Sequence, residues 1–217
     1  MTAPLPTPGT TMLCGCGHAE WALPPGPFAC ILADPPWSFR SWSDKGRDRC
    51  PDAMVRQKGL AERHYATMSL TDIKVLPVAD VAAKDAALFL WAVDCMLPQA
   101  LDVMAVWGFT FKTVAFTWAK AKTNGGWHIG LGYWTRGNPE MCLLGTRGSP
   151  RRLSAAVRQL IVAPRREHSR KPDEAHERIE QLVPGARLEL FARQSRPGWT
   201  TWGAQAGRFD EPTREAA

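Results

Sequence analysis

An apolar run, Phe28-Ala29-Cys30-Ile31-Leu32-Ala33, halts against Asp34-Pro35-Pro36-Trp37, and no other stretch restricts the fold as tightly. A short uninterrupted apolar run bounded by prolines reads as a strand buried on both faces. Two consecutive prolines hold φ near about −65° and lack N–H donors, so neither a helix nor a ladder continues past Asp34. The Asp34 and Pro35 carbonyls are therefore expected to keep acceptor capacity for a ligand, beside a carboxylate and an indole presented at the end of a strand.

Further along, strands are expected at 28–33, 86–92, 110–119, 140–146, 159–163 and 186–192, all rich in Val, Ile, Phe, Trp or Leu. Helices are expected near 70–83, 96–107 and 172–183. The last is the best marked: Pro172 at its first position, Asp173 and Glu174 in the first turn, and a stop before Pro184-Gly185. Ala175, Ile179, Leu182 and Val183 form its apolar face. This alternation predicts an α/β fold with a mostly parallel central sheet flanked by helices, a class in which ligands bind at the carboxyl ends of strands. Asp34 follows such an end. The 217 residues fit one domain; it is expected over 12–206, with 1–11 and 207–217 read as disordered ends.

Lysine and arginine outnumber aspartate and glutamate by 27 to 21, a net charge of +6 that suits a polyanionic partner. The six cysteines are scattered, with Cys30, Cys95 and Cys142 in apolar stretches, which reads as a reducing, cytoplasmic setting. Cys14-Gly15-Cys16-Gly17-His18 has no second ligand pair at zinc-finger spacing, so no metal is expected. No apolar run approaches the ~20 residues of a membrane span, and the Pro- and Thr-rich start lacks the pattern of an export signal.

Several blocks occur in a fixed order: Asp34-Pro35-Pro36-Trp37, His64-Tyr65-Ala66-Thr67-Met68-Ser69, Leu88-Phe89-Leu90-Trp91, Gly137-Asn138-Pro139-Glu140, Glu167-His168-Ser169-Arg170-Lys171-Pro172-Asp173-Glu174, Leu188-Glu189-Leu190-Phe191-Ala192-Arg193 and Pro197-Gly198-Trp199. Together, from about Phe28 to Gln205, they resemble the DPPW-type (MT-A70-like) adenine-N6 methyltransferases. The resemblance implies a Rossmann-like fold, S-adenosyl-L-methionine as cofactor, and methyl transfer to the N6 amine of adenine in DNA. RNA adenosine methylation and a non-catalytic nucleic-acid-binding subunit are the alternatives. An exocyclic amine is a poor nucleophile because its lone pair is delocalised into the ring. A carboxylate and a main-chain carbonyl accepting its two hydrogens localise and aim that lone pair, and Trp37 supplies a face for an extruded base. Asp34, Pro35, Pro36 and Trp37 are thus the expected catalytic residues; a turn beginning with Asp and ending in Trp points to adenine rather than cytosine.

By motif match, Lys171 is expected at the cofactor's carboxylate, Glu189 at its ribose, Phe191 and Arg193 along its adenosine side, and Gln205 as a further contact to the cofactor. Two departures stand out: Ala204 takes a place usually held by Asn, and an acid expected upstream of the catalytic strand has only Cys16 near it. Nucleic acid is expected to meet Arg40, Trp42, Lys45, Arg47 and Arg49 in the long segment after the catalytic turn, Tyr65 beyond it, and Trp127 and Trp134 in a turn-rich stretch where aromatics alternate with Lys120, Lys122 and Arg136. Arg147, Arg151, Arg152, Arg165, Arg166 and Arg170 form a further basic cluster that could track phosphates. His128 and His168 need no catalytic role, because the methylated amine can lose its proton after transfer. A homodimer or partner subunit is a further expectation.

Overall fold

A computed structural model describes residues 12–13, 19–20, 22–38, 67–130, 132, 134–167 and 170–210. Strands β1 (Met12–Leu13) and β2 (Ala19–Glu20) pair as a small antiparallel ribbon. The main sheet has seven strands in the order β7-β5-β6-β4-β3-β8-β9. These are β3 (Phe28–Ala33), β4 (Ala82–Ala92), β5 (Thr110–Ala121), β6 (Glu140–Arg147), β7 (Leu160–Pro164), β8 (Arg187–Leu190) and β9 (Thr200–Trp202). Four of its pairings are parallel, and β6 alone runs against both neighbours. The reason is local. β5 ends at the carboxyl edge, the chain makes a closed turn there, and β6 must run back as the second arm of a hairpin.

β3, and β4 from Ala86 onward, are apolar throughout because both faces are covered. On one side Ile31, Ala33, Leu88, Leu90, Leu143, Leu188 and Leu190 pack with Trp107 and the helices α1 (Leu70–Lys74), α2 (Val78–Val81) and α3 (Leu97–Val106). On the other, Cys30, Leu32, Phe89, Trp91, Phe116 and Ile161 pack with Ala175 and Ile179 of α4 (Glu174–Leu182). Trp107 is 1% exposed and donates its indole N–H to the Ile73 carbonyl at 3.0 Å, tying α3's end to α1. Trp107→Ala is expected to cost about 3–5 kcal/mol of stability, read as a fall in chemical-denaturation midpoint with unchanged slope.

Several expected boundaries move. The single helix over 70–83 is two short ones, α1 and α2, and β4 begins at Ala82 instead of 86. Pro77 is the cause: it removes one donor and turns Leu76 away from helical backbone. β8 stops at Leu190 rather than 192, because Phe191 takes a left-handed φ of 62°. Leu182, expected on the apolar face of α4, is only half-buried. β9 has no counterpart among the expected strands, since Thr200–Trp202 is too short to show a period. Residues 207–210, placed beyond the domain boundary by composition, fold back: Phe209 N–H donates to the Arg193 carbonyl at 3.0 Å, and the Asp210 carboxylate accepts from the Ser195 N–H at 2.6 Å.

Candidate active site

One edge of the sheet collects the chemistry. β3, β4 and β5 end there, and the antiparallel β6 begins there, so Asp34, Trp91, Lys120 and Glu140 converge although they are far apart in the chain. Lys171, ahead of α4, projects into the group. Its Nζ lies 2.9 and 2.8 Å from the two Asp34 carboxylate oxygens and 3.2 Å from Glu140 Oε2. The other Glu140 oxygen accepts from Lys120 Nζ at 2.7 Å. The result is an alternating row, Asp34–Lys171–Glu140–Lys120, with Lys171 also 5.5 Å from the centroid of the Trp91 ring.

The row separates the two carboxylates electrostatically. Burial pushes the Asp34 carboxyl above its ordinary range, and Lys171 only partly offsets this. The Asp34 side chain keeps 27% of its surface exposed, so it is reachable. Burial acts on Glu140 in the same sense, but Lys171 and Lys120 together outweigh it and bring its pKa down to about 2. A depressed carboxyl stabilises the fold at pH values above its unfolded pKa of about 4.3, and that contribution disappears as pH falls through about 2. Glu140→Gln should therefore destabilise the protein at neutral pH, by on the order of 3 kcal/mol, and flatten the acid side of a Tm-against-pH curve over that window. In the sequence Glu140 stands out only as the last residue of a short block; its role follows from β6 starting at the catalytic edge.

The Asp34–Trp37 turn itself is tightly held. Asp34 N–H makes a long bond to the Leu190 carbonyl at 3.5 Å, and Met68 N–H donates to the Pro36 carbonyl at 3.0 Å. Two expectations need correction. The Pro35 carbonyl is not wholly spare, because Trp37 N–H donates to it at 2.8 Å, leaving one lone pair. Trp37 does not offer an open ring: it is 5% exposed, sits in the core and donates its indole N–H to the Trp91 carbonyl at 3.1 Å. In this arrangement Trp37 fixes the turn against β4, because a large ring next to a buried strand end gains more from packing than from standing in water.

Beside Asp34, the end of β8 supplies the expected cofactor residues. Glu189 lies in register with Leu32 and Thr201, and its carboxylate meets His176 Nε2 of α4 at 3.0 Å. Nε2 must carry a hydrogen to face a carboxylate. His176 is 8% exposed and also packs edge-on against Trp199 at 5.2 Å, so it holds Glu189 in place. Sequence reasoning misses it, although three residues before Ile179 it falls on the buried face of α4. Phe191 packs edge-on against Trp202 at 5.7 Å, and Arg193 lies 4.8 Å from the Phe209 ring centroid. Gln205 is half-buried in the returning segment, and Ala204 is exposed. Gly203 is required in this crossing, because a Cβ there would lie 2.8 Å from the Ala192 nitrogen and the Phe191 carbonyl carbon. Asp173 bridges Arg166 and Arg196 at 2.6 and 2.7 Å and clamps the loop before α4.

Of the expected substrate contacts, Arg40, Trp42, Lys45, Arg47, Arg49 and Tyr65 lie outside the described residues. Trp127 and Trp134 are 57% and 89% exposed, in the closed turn between β5 and β6. The basic cluster divides. Arg147 donates to the Ala79 carbonyl, while Arg166 and Arg170 pair with Asp173 and Glu167. Arg151, Arg152 and Arg165 are exposed and make no ion pair among the described residues. No group of His, Cys, Asp and Glu among the described residues could hold a metal ion, and no described helix is long and apolar enough to cross a membrane.

Known proteins share this pattern. The MT-A70 family model matches residues 28–205. A type II methyltransferase, M.MunI, from Mycoplasma sp is 31% identical over 203 residues, covering 88% of this chain and 84% of that protein. The N(6)-adenosine-methyltransferase MT-A70-like protein of Arabidopsis thaliana is 30% identical over 83% of this chain, but the match spans only 24% of its own length. The human N(6)-adenosine-methyltransferase catalytic subunit METTL3 is likewise 30% identical over 83% of this chain and 28% of its own length. A family model matched from the catalytic strand to the final returning segment, with a relative aligned over most of both chains, means that the chain belongs to the MT-A70 family of methyltransferases.

Proposed function

We propose that the protein transfers a methyl group from S-adenosyl-L-methionine to the N6 amine of adenine in DNA. The observation that carries this reading is Asp34, an accessible carboxylate at the carboxyl edge of the sheet, next to the end of β8. The donor set fits the cofactor: Lys171 as a cation for its carboxylate, Glu189 for ribose hydroxyls, Phe191 with Arg193 along the adenosine, and Gln205 as a further polar contact. When bound, the cofactor supplies an electrophilic methyl carbon on a sulfonium centre. Asp34 accepts one amine hydrogen and the remaining lone pair of the Pro35 carbonyl the other, which aims the nitrogen lone pair at that carbon. The extra amine proton then leaves to water, so no general base is required.

Lys171 cannot serve both partners at full strength. While its ammonium is bidentate on Asp34, the carboxylate is neutralised and the cation is not free for the cofactor. Glu140, 3.2 Å away, gives Lys171 a second carboxylate to rest on as it loosens from Asp34. Filling the cofactor pocket and releasing the amine-binding carboxylate are therefore one event.

The DNA reading is supported by the type II methyltransferase, which aligns with this chain over 84% of its own length; the N(6)-adenosine-methyltransferases named above, similar over 24–28% of theirs, support the RNA alternative. Matched DNA and RNA oligonucleotides of one sequence, assayed for methyl incorporation, test this: faster incorporation into DNA is expected, and faster incorporation into RNA overturns the assignment.

A further inference from the structure

The turn between β5 and β6 is stapled shut and carries large rings outward. The Asn138 side chain accepts from Lys120 N–H at 2.8 Å and donates to the Lys120 and His128 carbonyls at 2.9 and 2.6 Å. His128 N–H donates to the Lys120 carbonyl at 2.8 Å, and Gly130 N–H to the Gly137 carbonyl at 2.7 Å. On this rigid base Trp127, Ile129 and Trp134 are 57%, 67% and 89% exposed. Trp134 has φ 67°, a left-handed backbone that bulky residues avoid. Two indoles and an isoleucine this exposed in one segment are what a partner's apolar or π surface covers.

Charge indicates which partner. Arg136 and Arg165 line a cleft with Ile129, Lys122 follows β5 in the same turn, and among the described residues none of the three pairs with a carboxylate. Several arginines elsewhere on the fold are neutralised internally, Arg166 and Arg196 by Asp173, Arg170 by Glu167, and Arg178 by Glu174, although Arg151 and Arg152 are also exposed without an ion pair among the described residues. Arg165 instead faces His128 Nε2 at 3.1 Å, and the His128 pKa is lowered by partial burial and by Arg165, Lys120 and Lys122. The cleft is open, about 710 Å³ in volume, and lined by His128, Ile129, Gly130, Arg136 and Arg165. Lys120, whose backbone anchors the staple, is the end of the row that leads through Glu140 and Lys171 to Asp34.

We propose that this face binds an unpaired nucleic-acid strand beside the catalytic edge, with bases stacked on Trp127 and Trp134 and phosphates held by Lys122, Arg136 and Arg165. A paired duplex hides its base faces except at its ends, so protruding rings select a strand that is single or locally opened. The proposal rests on the nucleic-acid methylation reading but adds the form in which the strand is read.

Fluorescence anisotropy of the full chain with a labelled single strand and with the same sequence in a hairpin duplex tests it. Trp127→Ala with Trp134→Ala should weaken single-strand binding by roughly tenfold or more and leave duplex binding and the salt dependence unchanged. Arg136→Gln with Arg165→Gln should lower the slope of log K against log salt by about 0.7 for each phosphate that is no longer neutralised. Both variants should bind S-adenosylhomocysteine as the wild type does in calorimetry. Unchanged single-strand affinity, or equal losses on both substrates, overturns the proposal even if the wild type methylates DNA. If sedimentation shows the tryptophan variant turning a dimer into a monomer with strand binding intact, the face is a protein interface and the proposal fails. A wild type that binds strands as described but methylates nothing contradicts the methyltransfer reading alone.

Discussion

Asp34→Ala is expected to abolish methyl transfer, a loss of at least about 10²–10³-fold on the scale of removing one group poised at a developing charge, while S-adenosylhomocysteine still binds. The retained binding is the informative half. Both Asp34 oxygens hold Lys171 Nζ, at 2.9 and 2.8 Å. Removing the carboxylate releases that ammonium, so cofactor-analogue affinity should equal or exceed that of the wild type. Weaker binding would place Asp34 on the cofactor instead of the amine. Asp34→Asn distinguishes charge from shape: its amide oxygen can still accept one amine hydrogen but carries no charge, so whatever activity it restores over Asp34→Ala measures positioning without the negative charge.

Lys171→Ala should have the second largest effect. It removes the charge-assisted partner proposed for the cofactor's carboxylate, worth roughly 1.5–3 kcal/mol, so calorimetry should show affinity falling by about 10- to 150-fold. It also leaves Asp34 and Glu140 without the cation between them. Burial already raises the Asp34 pKa, and Lys171 is the largest influence opposing it. Transfer requires the ionised carboxylate, so the acid limb of kcat/KM against pH, which reports the protein with Lys171 still on Asp34, should lie above the ordinary carboxylate range in the wild type. In Lys171→Ala it should move higher still. Unchanged affinity together with an unmoved acid limb would remove Lys171 from the site.

Much of this is legible in the sequence because the responsible patterns are local. Phe28–Ala33 is apolar on both faces and is stopped by prolines, and α4 follows its expected pattern of an acidic first turn and a terminal Pro-Gly, although it starts at Glu174, with Asp173 as its N-cap and Pro172 outside it. What escapes depends on neighbours distant in the chain. Trp37 reads as an exposed platform next to a catalytic acid, yet the Trp91 carbonyl 54 residues away draws its indole inward. Glu140 looks like any acid at the head of a strand until the reversed direction of β6 sets it between Lys120 and Lys171. His176 makes sense only once β8 is known to lie beneath α4 with Glu189 facing it. Arginine counts overstate the nucleic-acid surface, because ion pairing with Asp173 and Glu167 is invisible in composition.

The central claim is that Asp34 directs a methyl group to the N6 amine of adenine. Its most direct test is mass spectrometry of DNA digested to nucleosides after incubation with the protein and a cofactor carrying a deuterated methyl group. Labelled N6-methyldeoxyadenosine should appear with the wild type and be absent with Asp34→Ala at matched cofactor-analogue binding. Label on cytosine N4, equal label with Asp34→Ala, or no label from a wild type that binds the analogue would contradict the account.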